Sequence, residues 1–442
     1  MKQIVKRYIK WMIITLILLS IFKCSSSGDN TNKTVLKVFT QPRWAPYLKK
    51  AQLKWDKIHP QNRIKLQILE LGYPQLRSKL ITAAGGDNAP DFSLIDVVWI
   101  AEFVEAGYLK SIDELDSAWV DTVFCQDWYQ SLVNAVSYQN HIYGLVTQTG
   151  TEHLYYRRDW FWQEGIEPPE TWQQLIDVAT HFQQDFIRKK YKLGDHAMDL
   201  LGGVRGGEST AARWLLSLWS ANGKIFDKYN GVIFDDFPAR MALELYYDLI
   251  HKYKVVSQRC ITWDWQHPRK LFGAGKIALF VGGSYEWTML QKQTGWDDQT
   301  MREKIGFIPF PAATVGQKVV GTGGMAYCIF KQSHNQKLAL EFLKKVLSDQ
   351  LLSNFCITTN QTPPRKSVAT ALDSSKHWFI WKNAQMLKWA KSRPSSPIYP
   401  KFSEQIQKML ELTISREIDP YSAVSNVEKE MKNELINLNT PQ

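Results

Sequence analysis

The sequence predicts an α/β fold in which parallel strands are covered by helices. Short apolar runs with the alternation of strands recur along the chain between stretches that have the spacing of helices. Strands that alternate with helices pair in parallel, because each helix carries the chain back across the sheet. The part of the chain after residue 24 also exceeds the length at which one hydrophobic core stops growing. We therefore expect two α/β lobes.

The first lobe opens with a βαβ unit. It consists of a strand, a helix that ends before Pro60, and a second strand in which Ile64, Leu66 and Ile68 alternate. The same order then continues along the chain. The predicted elements are strands at 35–39, 64–68 and from 91 to 94 or beyond, and helices at 45–59, 73–85 and 99–107. This alternation predicts a parallel sheet.

The segment that begins at Ile142 combines aromatic and small polar residues. It predicts an extended apolar piece, a polar Thr/Gln/Gly loop at 147–150, a second extended piece with Tyr155 and Tyr156, and a helix from about Asp159. A pyranose offers apolar C–H faces to an aromatic ring and hydroxyls to polar groups, so this segment could hold a sugar. The two tyrosines could equally lie in a buried strand.

A second α/β region runs from about 149 to 308. Thr171 is the predicted N-cap of a helix, because its hydroxyl can accept from a free backbone N–H in the first turn. Residues 276–280 (Lys-Ile-Ala-Leu-Phe) form a strand candidate after the turn at 272–275. These signals predict that the second lobe has its own sheet and helices.

Motifs in order along the chain resemble those of family 1 extracellular solute-binding proteins, the sugar-capturing components of carbohydrate ABC importers. Phe272 to Trp287 is similar to the pattern F-x-x-G-K-x-A-φ-x-x-x-G-S-W, with Tyr285 after the serine. The other similar stretches are 142–172, 304–311, 333–343 and 397–410. The resemblance implies a two-lobe, type II periplasmic-binding-protein-like fold of the maltose-binding kind, in which each lobe is a sheet flanked by helices and the ligand lies in a cleft between them.

The resemblance also implies a domain division with several crossings between the lobes. We place crossings near 146–150, 308–312 and 358–366. Lobe 1 is then expected to comprise 35–147 with 311–360, and lobe 2 to comprise 148–310 with 361–442. Gly321 to Met325 resembles the glycine-rich return into the first lobe.

The N-terminus has the layout of a signal peptide. Residues 1–24 carry five basic and no acidic side chains around an apolar stretch at 11–22, which as a helix would be roughly 18 Å long and too short to span a bilayer. Cys24, before the Ser-, Asp- and Asn-rich residues 25–34, resembles the lipidated cysteine and flexible tether of a lipoprotein, although Lys23 departs from the usual small residue. We expect export to the periplasm or the outer face of the cytoplasmic membrane, with an anchor at Cys24.

Composition excludes several other classes of protein. The formal net charge is +11, but no long Lys/Arg block interleaves with aromatic residues, so nucleic-acid binding is not indicated. The later cysteines, Cys125, Cys260, Cys328 and Cys356, form no CxxC pair; disulfides are possible, and their pairing cannot be read from spacing. The sequence predicts no metal site and no cofactor.

Candidate ligand-binding residues follow predicted strands or lie at the crossings, since ligands meet an α/β sheet at the carboxyl ends of its strands. Several of them have a structural alternative. Trp44 could pack in its own lobe, Asp96 could cap a helix, Glu152 could be a surface acid and Arg365 could tie the lobes together. The candidates are Arg43, Trp44, Asp96, Trp99, Gln148, Glu152, Trp219, Asn222, Tyr285, Trp287, Gly323 and Arg365.

We expect a monomeric binding protein that captures a sugar or oligosaccharide by hinge closure. The resemblance implies its partners, a membrane permease that receives the sugar and a cytoplasmic ATPase that drives the permease. One alternative is a secreted carbohydrate-active hydrolase that pairs Glu152 with Asp96 or Glu286. No G-x-S-x-G elbow, H-x-x-x-H spacing or P-loop supports catalysis. Another alternative is a sugar-binding or structural lipoprotein without a transport role.

Overall fold

The computed structural model describes residues 33–227, 231–234, 236–313 and 318–439. The predicted signal peptide, Cys24 and most of the predicted tether lie outside these residues. The described strands are β1 Thr34–Thr40, β2 Ile64–Glu70, β3 Phe92–Asp96, β4 Leu109–Lys110, β5 Ser137–Tyr138, β6 His141–Ile142, β7 Leu145–Arg157, β8 Met198–Asp199, β9 Leu279–Gly283, β10 Ile305–Ile308, β11 Val320–Phe330 and β12 Ala390–Ser392.

Ten of these strands form one mixed sheet in the order β2-β1-β3-β11-β7-β9-β8. Three short strands of the sheet lie outside this order: β10 pairs with β7, and β4 and β12 pair with β11. Strands β5 and β6 form a separate hairpin. We call the sheet around β1, β2 and β3, with its helices, the first half of the molecule, and the sheet around β8, β9 and β10, with its helices, the second half.

The helices flank this sheet. Those that lie with the first half are α1 Ala45–Ile58, α2 Tyr73–Gly85, α3 Ile100–Glu105, α4 Asp113–Trp119, α5 Cys125–Asp127, α6 Gln130–Ala135, α15 Gln336–Val346, α16 Asp349–Thr359 and α17 Lys366–Thr370. A 3₁₀ turn at Val97–Trp99 precedes α3, and a π turn at Val120–Phe124 precedes α5.

The remaining helices lie with the second half. They are α7 Arg158–Glu164, α8 Trp172–Gln183, α9 Asp185–Tyr191, α10 Glu208–Ser220, α11 Phe237–His251, α12 His267–Gly273, α13 Trp287–Thr294, α14 Asp298–Lys304, α18 Trp378–Met386, α19 Tyr399–Ile414 and α20 Pro420–Asn439. Further 3₁₀ turns are Val204–Gly206, Gln258–Thr262, Ser284–Glu286 and Leu387–Trp389. Among the described residues, no helix combines the length and apolarity that a bilayer crossing needs.

Two long antiparallel strands, β7 and β11, run through both halves. Near Leu145 and Val146, β7 pairs with the part of β11 that also pairs with β3, whereas near Tyr155 it pairs with β9 and β10. The predicted loop at 147–150 is therefore wrong. Its polar side chains are satisfied inside the sheet instead: Thr149 Oγ1 lies 2.7 Å from Thr322 Oγ1 and donates to the Gly323 carbonyl at 2.8 Å. Sequence-local patterns cannot show pairing with a strand so distant in the chain.

Most of the predicted elements of the first half are confirmed. Strands β1 and β2 pair in parallel, with Val35 opposite Lys65, as a βαβ unit requires. Helices α1 and α2 begin at the predicted residues. In the second half, Thr171 caps α8 by accepting from the Gln174 backbone N–H at 3.3 Å. The strand predicted at 276–280 lies three residues later, as β9.

The core covers both faces of the sheet. A large cluster of buried apolar residues extends through both halves, and a smaller one lies between α12, α13, α18 and the second-half strands. Tyr155 belongs to the smaller cluster: it is fully buried and stacks on Phe280 with ring centroids 4.8 Å apart. The buried-strand interpretation therefore describes Tyr155. The four described cysteines are all free thiols.

Several contacts bear on where the chain passes between the halves. Phe310 pairs with Val319 and Ala312 with Thr171, so this segment lies against the second half. The chain then enters β11, whose later residues reach the first half. Thr362 pairs with Thr149 at the middle of β7. The residue boundaries given above for the two lobes stay a prediction.

Candidate ligand-binding cleft

Strand ends from both halves converge on the middle of β7 and β11. Strand β3 ends with Asp96 opposite Met325, and β12 ends with Ser392 opposite Thr322. These two strands lie on the same edge of β11 and point toward each other. On the far edge of β7, strand β9 ends with Gly283 opposite Glu152. The loops that follow these strands therefore face one another across a cleft, as the strand-end criterion predicts.

One wall of the cleft carries Asp96 in an ion pair that spans both halves. Arg393 Nη2 donates to Asp96 Oδ1 at 3.1 Å, and Arg393 Nη1 donates to Glu208 Oε1 at 2.8 Å. Glu208 opens α10 in the second half. Asp96 also caps the 3₁₀ turn that follows it, accepting from the Val98 backbone N–H at 3.3 Å. Its capping role and its place in the cleft are thus compatible.

Tyrosines surround this ion pair. Tyr73 donates to Asp96 Oδ2 at 2.8 Å and packs on Trp99 with ring centroids 4.9 Å apart. Tyr399 donates to Glu208 Oε1 at 2.8 Å. Burial and the neighbouring Asp96 raise the pKa of Tyr73, so its hydroxyl stays a donor. Burial opposes the charge of Arg393, but the two carboxylates outweigh it and raise the pKa of the guanidinium.

The opposite wall carries a second charged cluster around Arg213. Its Nη2 donates to Glu286 Oε1 at 3.1 Å, while its Nε lies 3.6 Å from Glu152 Oε2. Glu286 also accepts from the Gly283 backbone N–H at 3.1 Å. Arg213 and Glu286 are buried, but the Glu152 side chain is 18% exposed. Glu152 Oε2 and Arg213 Nε are themselves buried and face each other as an ion pair, with no hydrogen bond to either atom among the described residues. The exposed part of the Glu152 side chain is therefore what a ligand could contact in this cluster.

Burial shifts the protonation of acids around Arg213. Desolvation raises the pKa of Glu286 to about 7, although Arg213 acts in the opposite direction. Desolvation likewise raises the pKa of Asp199 to about 7, against the hydrogen bonds from Leu200 and Trp263. The pKa of Arg213 is raised because its acidic neighbours outweigh the effect of burial. The arginine therefore stays charged while nearby acids can hold a proton near neutral pH.

Two further predicted residues lie where a ligand could reach them. Tyr285 is half-buried, with its hydroxyl 3.4 Å from Arg213 Nη2 and its ring 5.9 Å from that of Trp265 in an edge-on arrangement. Arg43 is exposed, donates to Gln41 Oε1 at 2.8 and 3.1 Å, and still has a pKa lowered by desolvation.

Other predicted residues are buried in the core, where their side chains contact other protein groups. Trp44 stacks on Phe355 at 3.6 Å between centroids, and its Nε1–H donates to Gln148 Oε1 at 2.8 Å. Trp287 is 1% exposed and stacks on Phe379 at 4.4 Å. Both rings therefore have protein against them in this conformation, and Gln148 has its side-chain oxygen bonded.

Three predicted residues lie away from the two charged clusters. Arg365 donates to Asp127 Oδ2 at 2.6 Å and pairs with Asp349 at 2.6 Å, both in the first half. Trp219, at the C-terminal end of α10, is roughly 17 Å along the helix from Glu208 and roughly 9 Å from Arg213. Asn222, in the left-handed conformation, follows it. Gly323, by contrast, lies beside Arg393.

Sequence reasoning missed Arg393, Glu208 and Arg213. Arg213 had a readable signal, because a single charge stands in the apolar run from Ala211 to Leu218, and a buried charge needs a partner. Arg393 had none, since it lies in a short Ser- and Pro-rich stretch that reaches the cleft only through the pairing of β12 with β11. Among the described residues, no group of His, Cys, Asp and Glu side chains could hold a metal ion.

Comparison with known proteins identifies the family. The family model described as bacterial extracellular solute-binding protein matches residues 29–387. The arabinooligosaccharide-binding protein of Bacillus subtilis is 23% identical over 300 residues, which are 66% of this chain and 63% of that protein.

Solved structures share the fold. A solute-binding protein of Thermotoga lettingae bound to alpha-D-tagatose superposes with a TM-score of 0.74 at 22% identity, covering 91% of this chain and 99% of that one. Maltose-bound MalE3 of T. maritima superposes with a TM-score of 0.73 at 24% identity, covering 90% and 99%. The first and second halves thus correspond to the two lobes of a periplasmic solute-binding fold. Because the family model spans most of the chain, the protein belongs to the bacterial extracellular solute-binding proteins.

Proposed function

We propose that the protein captures a sugar or short oligosaccharide in the cleft between its two halves and hands it to a membrane permease of an ABC importer. The observation that carries this is the convergence of strand ends from both halves on β7 and β11, at the point where the partly exposed Glu152 side chain lies beside the Arg213 guanidinium. A carboxylate acceptor beside a guanidinium donor suits a hydroxyl, which can donate to one and accept from the other.

Aromatic side chains near Glu152 and Arg213 provide the second feature that a sugar site needs, namely rings on which the sugar can stack. Tyr285 presents a half-buried ring next to Arg213, with the ring of Trp265 edge-on against it. On the opposite wall the Tyr73 ring is 37% exposed, and the buried Trp99 packs behind it. Rings of this kind stack on the C–H faces of a pyranose while the carboxylates hold its rim. The relatives named above, which bind arabinooligosaccharide, tagatose and maltose, support the same ligand class.

The proposed mechanism of capture is closure of the two halves around the ligand. A ligand that touches both walls gains contacts in the closed arrangement that it lacks in the open one, and this difference shifts the population toward closure. The long strands β7 and β11 are the covalent links about which the halves would move. The closed form would then dock on the permease, with the chain held at the membrane by a lipid on Cys24.

The contacts of Glu286 and Asp96 do not favour the hydrolase alternative. Glu286 is fully buried and already bonded to Arg213 and to the Gly283 backbone, so it cannot reach a glycosidic oxygen. Asp96 has both oxygens engaged by Tyr73, Val98 and Arg393. The chain's family is also one of binding proteins.

A ligand screen tests the proposal. Thermal denaturation of the purified protein is followed with a panel of mono-, di- and trisaccharides and polyols, and hits are titrated by calorimetry. The expected result is saturable binding of at least one sugar, with the sugar recovered unchanged after prolonged incubation. Turnover of the sugar would indicate an enzyme, and the absence of any stabilising sugar would contradict the proposed ligand class. Membrane vesicles that hold the permease would then separate a transport role from sugar binding alone.

A further inference from the structure

Arg393 is in contact with both halves of the molecule at once. Its guanidinium reaches Asp96, at the end of β3 in the first half, and Glu208, at the start of α10 in the second. The side chain is 12% exposed, so the bridge lies inside the interface and not on its rim. A guanidinium can serve two carboxylates because it presents several donors in a fixed plane, which an ammonium does not.

The backbone around Arg393 is shaped to deliver this side chain. Strands β3 and β12 approach each other end to end along β11 and leave Gly323 and Gly324 between them. A β-carbon on Gly323 would lie 2.7 Å from Arg393 Nη2, so glycine makes room for the guanidinium. Arg393 is the first residue after β12, and its side chain lies in the gap between the two strand ends.

Each carboxylate is held in place by its own half. Asp96 is bonded by Tyr73 and Val98, which belong to the first half. Glu208 is bonded by Tyr399 and by Ser403 of α19, which belong to the second half. Neither acid depends on Arg393 to keep its conformation. The arginine therefore adds an attraction between two preformed anionic sites on opposite sides of the cleft.

We propose that Arg393 is a positioning residue that draws the two halves together before any ligand arrives. The inference rests on the proposed function in one respect only, namely that the two halves open and close. Opening the cleft separates Asp96 from Glu208, so at least one of the two ion pairs breaks. A partly closed ligand-free state follows, and its population is set by this bridge.

Such a bridge also sets the affinity for the ligand. When only the closed form binds tightly, the apparent dissociation constant equals the intrinsic constant divided by the closed fraction. Loss of the bridge lowers that fraction and weakens binding without removing a ligand contact. The weakening appears mainly as a slower association, because fewer molecules are ready to bind.

The chain provides a matched control for the experiment. Arg365 likewise pairs with two acids, Asp127 and Asp349, but both lie in the first half. We compare wild type, Arg393→Gln and Arg365→Gln by small-angle scattering without ligand. The radius of gyration is expected to increase for Arg393→Gln and to remain that of wild type for Arg365→Gln. High salt is expected to expand wild type toward the Arg393→Gln value, because it screens ion pairs.

Two further variants keep the test decisive if Arg393→Gln folds poorly. Glu208→Gln removes one charge and keeps an acceptor for Tyr399, so it should expand the ligand-free protein as well. Arg393→Lys retains the charge but presents a point charge in place of the planar fork, and should restore compaction only in part. Folded Arg393→Gln and Glu208→Gln proteins with the wild-type radius of gyration would overturn the proposal.

Binding data separate this proposal from the proposed function. Once a sugar is identified, Arg393→Gln should bind it roughly tenfold more weakly, a typical size for coupling between two sites, with the association rate reduced more than the dissociation rate is increased. An expanded ligand-free variant in a protein that binds no sugar would support the bridge and contradict the sugar ligand. An unchanged radius of gyration for Arg393→Gln, in a protein that does bind sugar, would support the sugar ligand and contradict the bridge.

Discussion

Arg213 donates to Glu286 across 3.1 Å, and both side chains are buried behind the second-half wall of the cleft. The same guanidinium faces Glu152, which is the member of the cluster that reaches the cleft. A buried positive charge thus holds one acid inside the protein and leaves a second, partly exposed acid at the proposed ligand site. We expect the cluster to affect both stability and binding.

Replacement of Arg213 should be strongly destabilising. Arg213→Met leaves Glu286 buried without its counter-charge, and breaking a buried ion pair in this way costs about 3 to 5 kcal/mol. Adding Glu286→Gln should recover part of that loss, since the double variant no longer buries an unpaired carboxylate. Urea denaturation of the two single variants and the double variant measures the coupling. Strict additivity would show that the two side chains do not interact.

Stability should fall as the pH rises toward neutrality, because of Asp199. The unfolded carboxyl loses its proton near its ordinary pKa of 3.8, whereas the folded one keeps it to about 7. Between these values the folded state binds more protons, so its stability decreases with increasing pH and then levels off. Asp199→Asn should therefore be more stable than wild type at pH 8 by about 1 to 3 kcal/mol, and by much less at pH 5.

Urea denaturation at the two pH values checks this prediction. The control is Asp185→Asn, at an 86% exposed position, which should change the free energy of unfolding by less than about 0.5 kcal/mol. An Asp199→Asn variant that is less stable than wild type at pH 8 would show that the ionised carboxylate is needed for folding.

Glu152 should matter for affinity more than for stability. Glu152→Gln keeps the size of the side chain but removes the charge, and hydrogen bonds to charged groups contribute about 1.5 to 3 kcal/mol. We expect sugar binding to weaken by that amount in calorimetry, with a melting temperature close to that of wild type. Glu170→Gln, an exposed acid paired with Lys318, serves as the control and should bind normally. Equal affinity of Glu152→Gln and wild type would place the ligand elsewhere.

Trp287 should behave as a core residue. Its ring is stacked on Phe379 and lies among Phe307 and Trp378, so Trp287→Ala leaves a large cavity and should cost about 3 to 5 kcal/mol of unfolding free energy. Affinity for the sugar should change little at temperatures where the variant is folded. Calorimetry at low temperature and a melting curve measure the two effects separately. A normal melting temperature with reduced affinity would instead identify Trp287 as a ligand contact.

The order of elements in the first half could be predicted because each one has a local pattern. The alternation at Ile64, Leu66 and Ile68 and the helix before Pro60 depend only on nearby residues. Strand β7 could not be predicted as one element, since its threonines resemble a loop until they pair with β11. The chain length and a family resemblance predicted the two lobes, and no local signal would have done so.

The site was harder to predict than the fold. Asp96, Glu152 and Tyr285 follow strands or lie on a crossing, and the strand-end criterion found them. Trp44 and Trp287 satisfied the same criterion but turned inward, because a large apolar ring gains more from burial than from exposure. Arg393 depends on the meeting of β3 and β12, two segments far apart in the chain.

Scattering with and without a bound sugar tests the central claim most directly. The claim is that a ligand lies between the two halves and holds them closed about β7 and β11. The radius of gyration of wild type should decrease on saturation with the sugar found in the screen, and Glu152→Gln should need a higher sugar concentration to reach the same value. Saturable binding with no change in the radius of gyration of either protein would contradict the account.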